Sequence, residues 1–176
     1  MKHDYRYEAK RIILRPLEEE DIELLRELRN ENRHLFLTTD VVTAEGQRKW
    51  YQHYLTKQDD IMFVVEKKDN PGQFIGTVAL YDIDWDNMIC EFGRTLIDKK
   101  LAPEKGIGTE ATAAMCAFGF DVLKIKKIIG HAWKTNERIL KVDLRAGYQI
   151  IREQDDGVIY LEMTADTVNR EIIKPE

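Results

Sequence analysis

Long apolar runs are missing from this chain. None approaches the ~20 residues that a bilayer-crossing helix needs, which excludes a membrane span of that kind. The opening decapeptide MKHDYRYEAK has no apolar centre, so a secretory signal is not expected there. Cysteine is scarce: Cys90 and Cys116 both lie in apolar segments and form no CxxC, the pattern of reduced core thiols in a cytoplasmic protein. The histidines (His3, His34, His53 and His131) are scattered, with no HExxH or Cys/His cluster, so no metal site is expected. His131, in a strand-like segment, reads as a hydrogen-bonded core residue rather than a base. GxSxG and GxxxxGK[ST] are both absent. Positive charge is not in excess either. A formal net charge of -5 argues against nucleic acid as partner and mildly favours amine-bearing ones. Repeats, low-complexity tracts and linkers are lacking, so residues 1–176 are expected to form one domain, with 169–176 a frayed tail.

What is present alternates between strand and helix signals. Residues 11–17 suit a strand, stopped by the acidic cluster 18–21, which in turn suits a helix N-terminus. Ile22, Leu25 and Leu28 then recur at helical spacing. Residues 30–42 form a polar and aromatic loop carrying Phe36 and Thr39. Thr43 is a fair N-cap for a second helix to about residue 55, whose aromatic face of Trp50, Tyr51 and Tyr54 is either core or pocket wall. Residues 61–66, 74–82 and 91–97 read as three antiparallel strands joined by turns at 67–73 and 84–87. A helix from about residue 106 turns Ala111, Ala114, Met115, Phe118 and Val122 inward. A strand (126–133), a short helix (136–146) and a hairpin (150–152 with 158–164) complete the chain.

The informative stretch runs from Glu91 to Leu123. A strand leads through a proline-bearing loop to Lys105-Gly106-Ile107-Gly108-Thr109 and a helix. Two glycines at a helix mouth let backbone approach a ligand closely, and the first-turn amides can donate to phosphate oxygens. A bare GxG also serves as an ordinary helix-entry turn, so the turn alone leaves both readings open. Glu91 projects from a strand that also carries Gly93 and Thr95 at alternate positions. It is either a base or a structural carboxylate paired with Arg94, Arg15 or another cation.

With the downstream block from Asn136 to Tyr148, the chain resembles the GNAT superfamily of acyl-CoA N-acyltransferases. Residues 105–109 match the second half of its [QR]-x-x-G-x-[GA] loop. Asn136, Val142, Arg145, Gly147 and Tyr148 fall on its N-x-x-[AS]-x-x-[LV]-[YH]-x-[KR]-x-G-[FY] block. The opening at 12–17 is similar to the branch holding ribosomal-protein N-terminal and amino-sugar acetyltransferases. The resemblance implies an α/β fold of the α+β type: a mixed, mostly antiparallel sheet of about seven strands flanked by helices. Central strands splay in such a fold to hold the coenzyme. It implies acetyl-CoA as co-substrate, with Thr95, Leu96 and Ile97 along the pantetheine and Lys105, Gly106, Ile107, Gly108, Thr109 and Glu110 on the pyrophosphate. Asn136, Lys141 and Arg145 become further contacts. Glu91 becomes the candidate base, and Phe36, Thr39 and Tyr81 face the acceptor. That acceptor is a small amine, such as an amino sugar, or a protein N-terminus. A coenzyme-binding sensor without catalysis is the other reading, and a homodimer is compatible with both. Three departures stand out, one being a linker from Asp98 to Gly106 that reads one residue longer than in close relatives. Pro103 replaces the usual Arg or Gln, and Asp143 stands where many members carry a Tyr acid. As an ordinary carboxylate Asp143 could not protonate a leaving thiolate at neutral pH, so it is expected to be a bystander unless burial raises its pKa.

Overall fold

The computed structural model describes residues 1–35 and 39–174. Eight strands form one sheet in the order β1-β2-β3-β4-β5-β6-β8-β7. They are β1 (Tyr7–Glu8), β2 (Ile12–Pro16), β3 (Ile61–Lys67), β4 (Asn70–Asp84), β5 (Ile89–Ile97), β6 (Lys127–Trp133), β7 (Gln149–Glu153) and β8 (Val158–Met163). The eighth strand, beyond the seven expected, is the two-residue β1 at one edge, too short to leave a period-2 pattern. Every pairing is antiparallel except β5 with β6, which α3 (Ile107–Asp121) links as a crossover.

The helices cover both faces and divide the core in two. On one face α1 (Ile22–Glu31) and α2 (Ala44–Thr56) bury Leu25, Leu28, Tyr51 and Tyr54 against Met62, Val64, Ala79 and Leu96. Thr43 caps α2, its hydroxyl accepting from the Gly46 amide at 3.0 Å. The acidic run before α1 is held by Arg15, whose Nη1 and Nη2 reach the two Asp21 oxygens at 2.6 and 2.8 Å. On the other face α3 packs with α4 (Glu137–Ala146) against Phe63, Val65, Leu80, Phe92 and Ile128. The α3 residues 107 and 109–120 are all buried, which explains its lack of an amphipathic stripe. Val122 is the exception to the inward face expected of this helix: it falls just past the end of α3 and is exposed.

The decisive local feature is a break in β5. Ala79 pairs with Gly93 but Thr77 with Leu96, so β5 carries one extra residue between them, a bulge. Arg94 sits in it with φ of +51°. The bulge reverses the phase of the strand. Glu91, Gly93 and Leu96 therefore share the α1/α2 face, while Thr95 and Ile97 turn toward α3. Simple alternation, which put Thr95 with Glu91, fails at this point. The parallel ladder to β6 also ends here, at Phe92 opposite Gly130, and β6 continues away, paired with β8. Beyond it, the β6-facing edge of β5 is left open.

Candidate active site

The opening between β5 and β6 is the floor of a cleft of about 720 Å³. Residues 91–97 of β5, 130–133 of β6, Gly108 at the head of α3 and one side of α4 line it. Toward α1 and α2 it is bounded by Arg29, Val41, Thr43, Trp50 and Tyr81. A strand edge within such a cleft offers backbone donors and acceptors to an extended ligand, as an added strand would.

At one end stands the glycine turn. Gly106 has φ of +91°, where only glycine sits without strain, and no side chain caps α3. The Glu110 amide already donates to the Gly106 carbonyl at 2.9 Å, so the amides of Ile107, Gly108 and Thr109 are the ones without a partner inside the helix. A Cβ placed on Gly108 would meet nothing closer than Ile97 Cγ1 at 3.8 Å, so the protein itself leaves this position open. Glu110, expected at the pyrophosphate, has its side chain turned inward. Its side chain is fully buried, and its oxygens accept from the Arg11 amide at 2.5 Å and Arg11 Nε at 2.7 Å. Arg11 Nη1 also reaches the Lys105 carbonyl at 3.2 Å, so this pair fixes the turn from beneath. Lys105 is itself exposed.

At the other end is Glu91. Its Oε1 accepts from the Tyr81 hydroxyl at 2.8 Å and lies 3.3 Å from His131 Nδ1. Oε2 makes no hydrogen bond among the described residues. Neither cation expected as a structural partner takes Glu91: Arg94 goes to Asp60, and Arg15 to Asp21 and Glu66. Gly93 makes this possible, since a Cβ there would stand 2.8 Å from the Tyr81 hydroxyl. Burial, then the hydrogen bond to Glu91, raises the Tyr81 pKa well above that of a free phenol. His131 was expected in the core. It lines the cleft instead, edge-on to Tyr160 with ring centroids 5.2 Å apart.

Between these ends, α4 presents Arg138, Ile139, Val142 and Asp143, while Asn136 caps it, its Oδ1 accepting from the Ile139 amide at 3.2 Å. Lys141 and Arg145, expected as phosphate contacts, do not line the cleft. Lys141 turns back to Glu137 at 3.2 Å, and Arg145 lies about 10 Å further along the helix than Arg138. Arg138 is the α4 cation at the cleft. Asp143 is 6% exposed, and its Oδ1 is buried without a hydrogen-bond partner among the described residues. Burial alone raises its carboxyl from 3.8 to about 7. Burial thus moves its titration up to the neutral range, where the carboxyl is partly protonated. Thr95 Oγ1 is a second buried cleft atom without a partner among the described residues, and such orphans fit a polar chain laid between them.

The Gly147-Tyr148 pair that follows α4 is structural. At φ of +121°, a Cβ on Gly147 would lie 2.1 Å from the Thr167 carbonyl oxygen. The buried Tyr148 hydroxyl is 3.5 Å from Cys116 Sγ. It does not stand in for the missing tyrosine acid. Of the three residues expected at the acceptor, Tyr81 lines the cleft, Thr39 is exposed and does not, and Phe36 lies outside the described residues. Trp50, on the face expected to be either core or pocket wall, lines the cleft, whereas Arg29, Arg94, His131 and Arg138 were not expected there. Of these four, Arg138 left a sequence signal, as a cation in the first turn of a helix already assigned.

A splayed parallel pair with a glycine-headed helix beside it is the arrangement that the resemblance to acyl-coenzyme A-dependent transferases implies. The sequence matches the acetyltransferase (GNAT) domain family over residues 11–149, and the chain belongs to that family. It is 32% identical over 149 residues to the probable N-acetyltransferase YjcK of Bacillus subtilis (strain 168), covering 80% of this chain and 81% of that one. Among solved structures it resembles apo FdhC, a nucleotide-linked sugar GNAT (TM-score 0.81, 22% identity, 94% of this chain and 93% of that). It also resembles the spermidine N-acetyltransferase of Vibrio cholerae in complex with CoA and spermine (TM-score 0.77, 17% identity, 89% and 97%).

Proposed function

We propose that this acetyltransferase moves the acetyl group of acetyl-CoA to the primary amine of a small molecule, an amino sugar being the leading candidate. The observation that carries the reading is Glu91, held at Oε1 by Tyr81 and His131 beside the freed edge of β5. Bound acetyl-CoA supplies a thioester carbonyl activated toward attack. The open edge of residues 93–97 and the amides of Ile107, Gly108 and Thr109 are the groups suited to its pantetheine and pyrophosphate. Glu91 Oε2 receives the proton that the amine sheds, and the two contacts at Oε1 keep that oxygen aimed. Asp143, protonated by burial, donates to the departing sulfur, the part a tyrosine plays in many relatives.

Thiol release from acetyl-CoA across a panel of amines tests this reading. Turnover with a small amine supports it, and turnover only with peptides would move the acceptor to a protein N-terminus. Coenzyme binding with no release on any amine would make the chain a sensor.

A further inference from the structure

One polar side chain on the α2 side of the cleft has no part in the chemistry described above. Gln47 falls on the inward face of α2 with Tyr51 and Tyr54, at helical spacing, and is 4% exposed. It lines the half of the cleft that Leu25, Trp50 and Met62 also bound. Its carboxamide makes no hydrogen bond among the described residues. Unlike Asp143 Oδ1, however, Oε1 and Nε2 of Gln47 both keep some exposed surface. For a residue this deeply buried, that surface opens on the cleft.

The polar groups around it are already engaged. The Thr43 hydroxyl accepts from the Gly46 amide, Asn32 Nδ2 donates to the Leu28 carbonyl at 2.8 Å, and Thr77 Oγ1 donates to the Arg94 carbonyl at 3.0 Å. The Tyr81 hydroxyl goes to Glu91 and the Arg94 guanidinium to Asp60. Gln47 alone in this set is left to the contents of the cleft. An unpaired carboxamide on the apolar face of a helix is unfavourable, because little of it reaches water and no protein group replaces that water. Leucine or methionine would pack there without the penalty. A ligand that bonds to the carboxamide removes it.

The chemistry of the carboxamide says which ligand. It carries a donor at Nε2 and an acceptor at Oε1, side by side. A hydroxyl both donates and accepts, so it can satisfy either atom, and two neighbouring hydroxyls satisfy both. An ammonium group only donates; it would serve Oε1 and leave Nε2 unmet.

We infer that Gln47 selects the acceptor: besides the amine that meets Glu91, the acceptor bears a hydroxyl that bonds to the Gln47 carboxamide, as in an amino sugar or an amino alcohol. The inference rests on the transferase reading and narrows it. Gln47 acts on the choice of acceptor and not on the chemical step, since the protons pass through Glu91 and Asp143.

Thiol release is followed with matched acceptors: glucosamine against cyclohexylamine, 6-aminohexanol against hexylamine, and spermidine, which has no hydroxyl. The wild type should favour the hydroxyl-bearing member of at least one pair by about tenfold or more in kcat/KM. The pair that shows the preference distinguishes a sugar ring from an open chain. Gln47→Met is close to glutamine in shape and lacks both polar atoms. It should shrink the ratio about tenfold, mainly by raising KM for the hydroxyl-bearing amine. Comparing the ratio between the two proteins cancels the differing basicity of the amines. CoA affinity should be kept, and the variant should melt no lower than the wild type, because no bond within the protein is lost. Calorimetry of the same amines on the CoA-loaded protein reads the hydroxyl site without catalysis. Binding that depends on Gln47 but yields no thiol would uphold the site and end the transferase reading. Hydroxyl-bearing and plain amines used or bound alike, a preference for spermidine, an unchanged ratio in Gln47→Met, or a marked fall in its melting temperature would overturn the inference.

Discussion

Replacing Asp143 by Asn removes a titrating group from the cleft wall while keeping its shape. In the folded protein burial holds this carboxyl near 7, against 3.8 for an exposed one. Between those values the folded state binds a proton that the unfolded state has released, so stability falls as pH rises through the window and levels off above it. The asparagine variant has no such dependence. At about pH 4.5 the two proteins should therefore be close in stability, and by about pH 8 the variant should be ahead by up to ~4 kcal/mol. Urea unfolding at a series of pH values measures the difference, and subtracting one protein from the other cancels every other titrating group. The same proton is the one proposed for the leaving sulfur. Thiol release by the wild type should decline as pH passes about 7, with the variant about ten- to a hundredfold slower below that pH and close to wild type above it. A stability difference that stays constant from about pH 4.5 to 8 would refute the buried-acid argument, since it would mean that Asp143 ionises alike in both states.

Glu91→Gln should keep fold and CoA affinity and lose about a hundredfold in rate, with the loss shrinking as pH rises and more amine arrives deprotonated. His131→Asn should cost about tenfold if the imidazole only positions Glu91, and a loss equal to that of Glu91→Gln would make it the proton acceptor. Gly108→Val should weaken acetyl-CoA binding sharply by calorimetry with little change in melting temperature, because the protein leaves that position open and only a ligand would be obstructed. Arg11→Ala should destabilise by about 2 kcal/mol in urea, as it strips the side-chain partner from the buried Glu110 carboxylate.

The order of elements was legible because strands and helices announce themselves locally. Alternation marked β5, apolar runs between turns marked its neighbours, Thr43 was a readable cap, and the two glycines placed the mouth of α3. Chemistry within a few residues was legible too, so Gly106, Gly108 and Asn136 stand where their spacing put them. Pairings across the fold were not. Glu91 was a carboxylate without a partner until β4 and β6 brought Tyr81 and His131 to it from opposite sides. Glu110 read as a phosphate contact because Arg11, 99 residues away, leaves no local trace.

By itself, the sequence determined the family, the order of elements and the location of a glycine-headed helix, since each rests on local propensity and spacing. Tertiary structure alone decided three things. The extra residue in β5 is defined only against β4, and it turned Thr95 away from Glu91 and Arg94 toward the α1/α2 side. The pKa of Asp143 is a property of what surrounds it, since solvent exclusion is set by packing and not by neighbours in sequence. Arg29 on α1 and Arg94 on β5, 65 residues apart, line one cavity only because the fold brings α1 and β5 together.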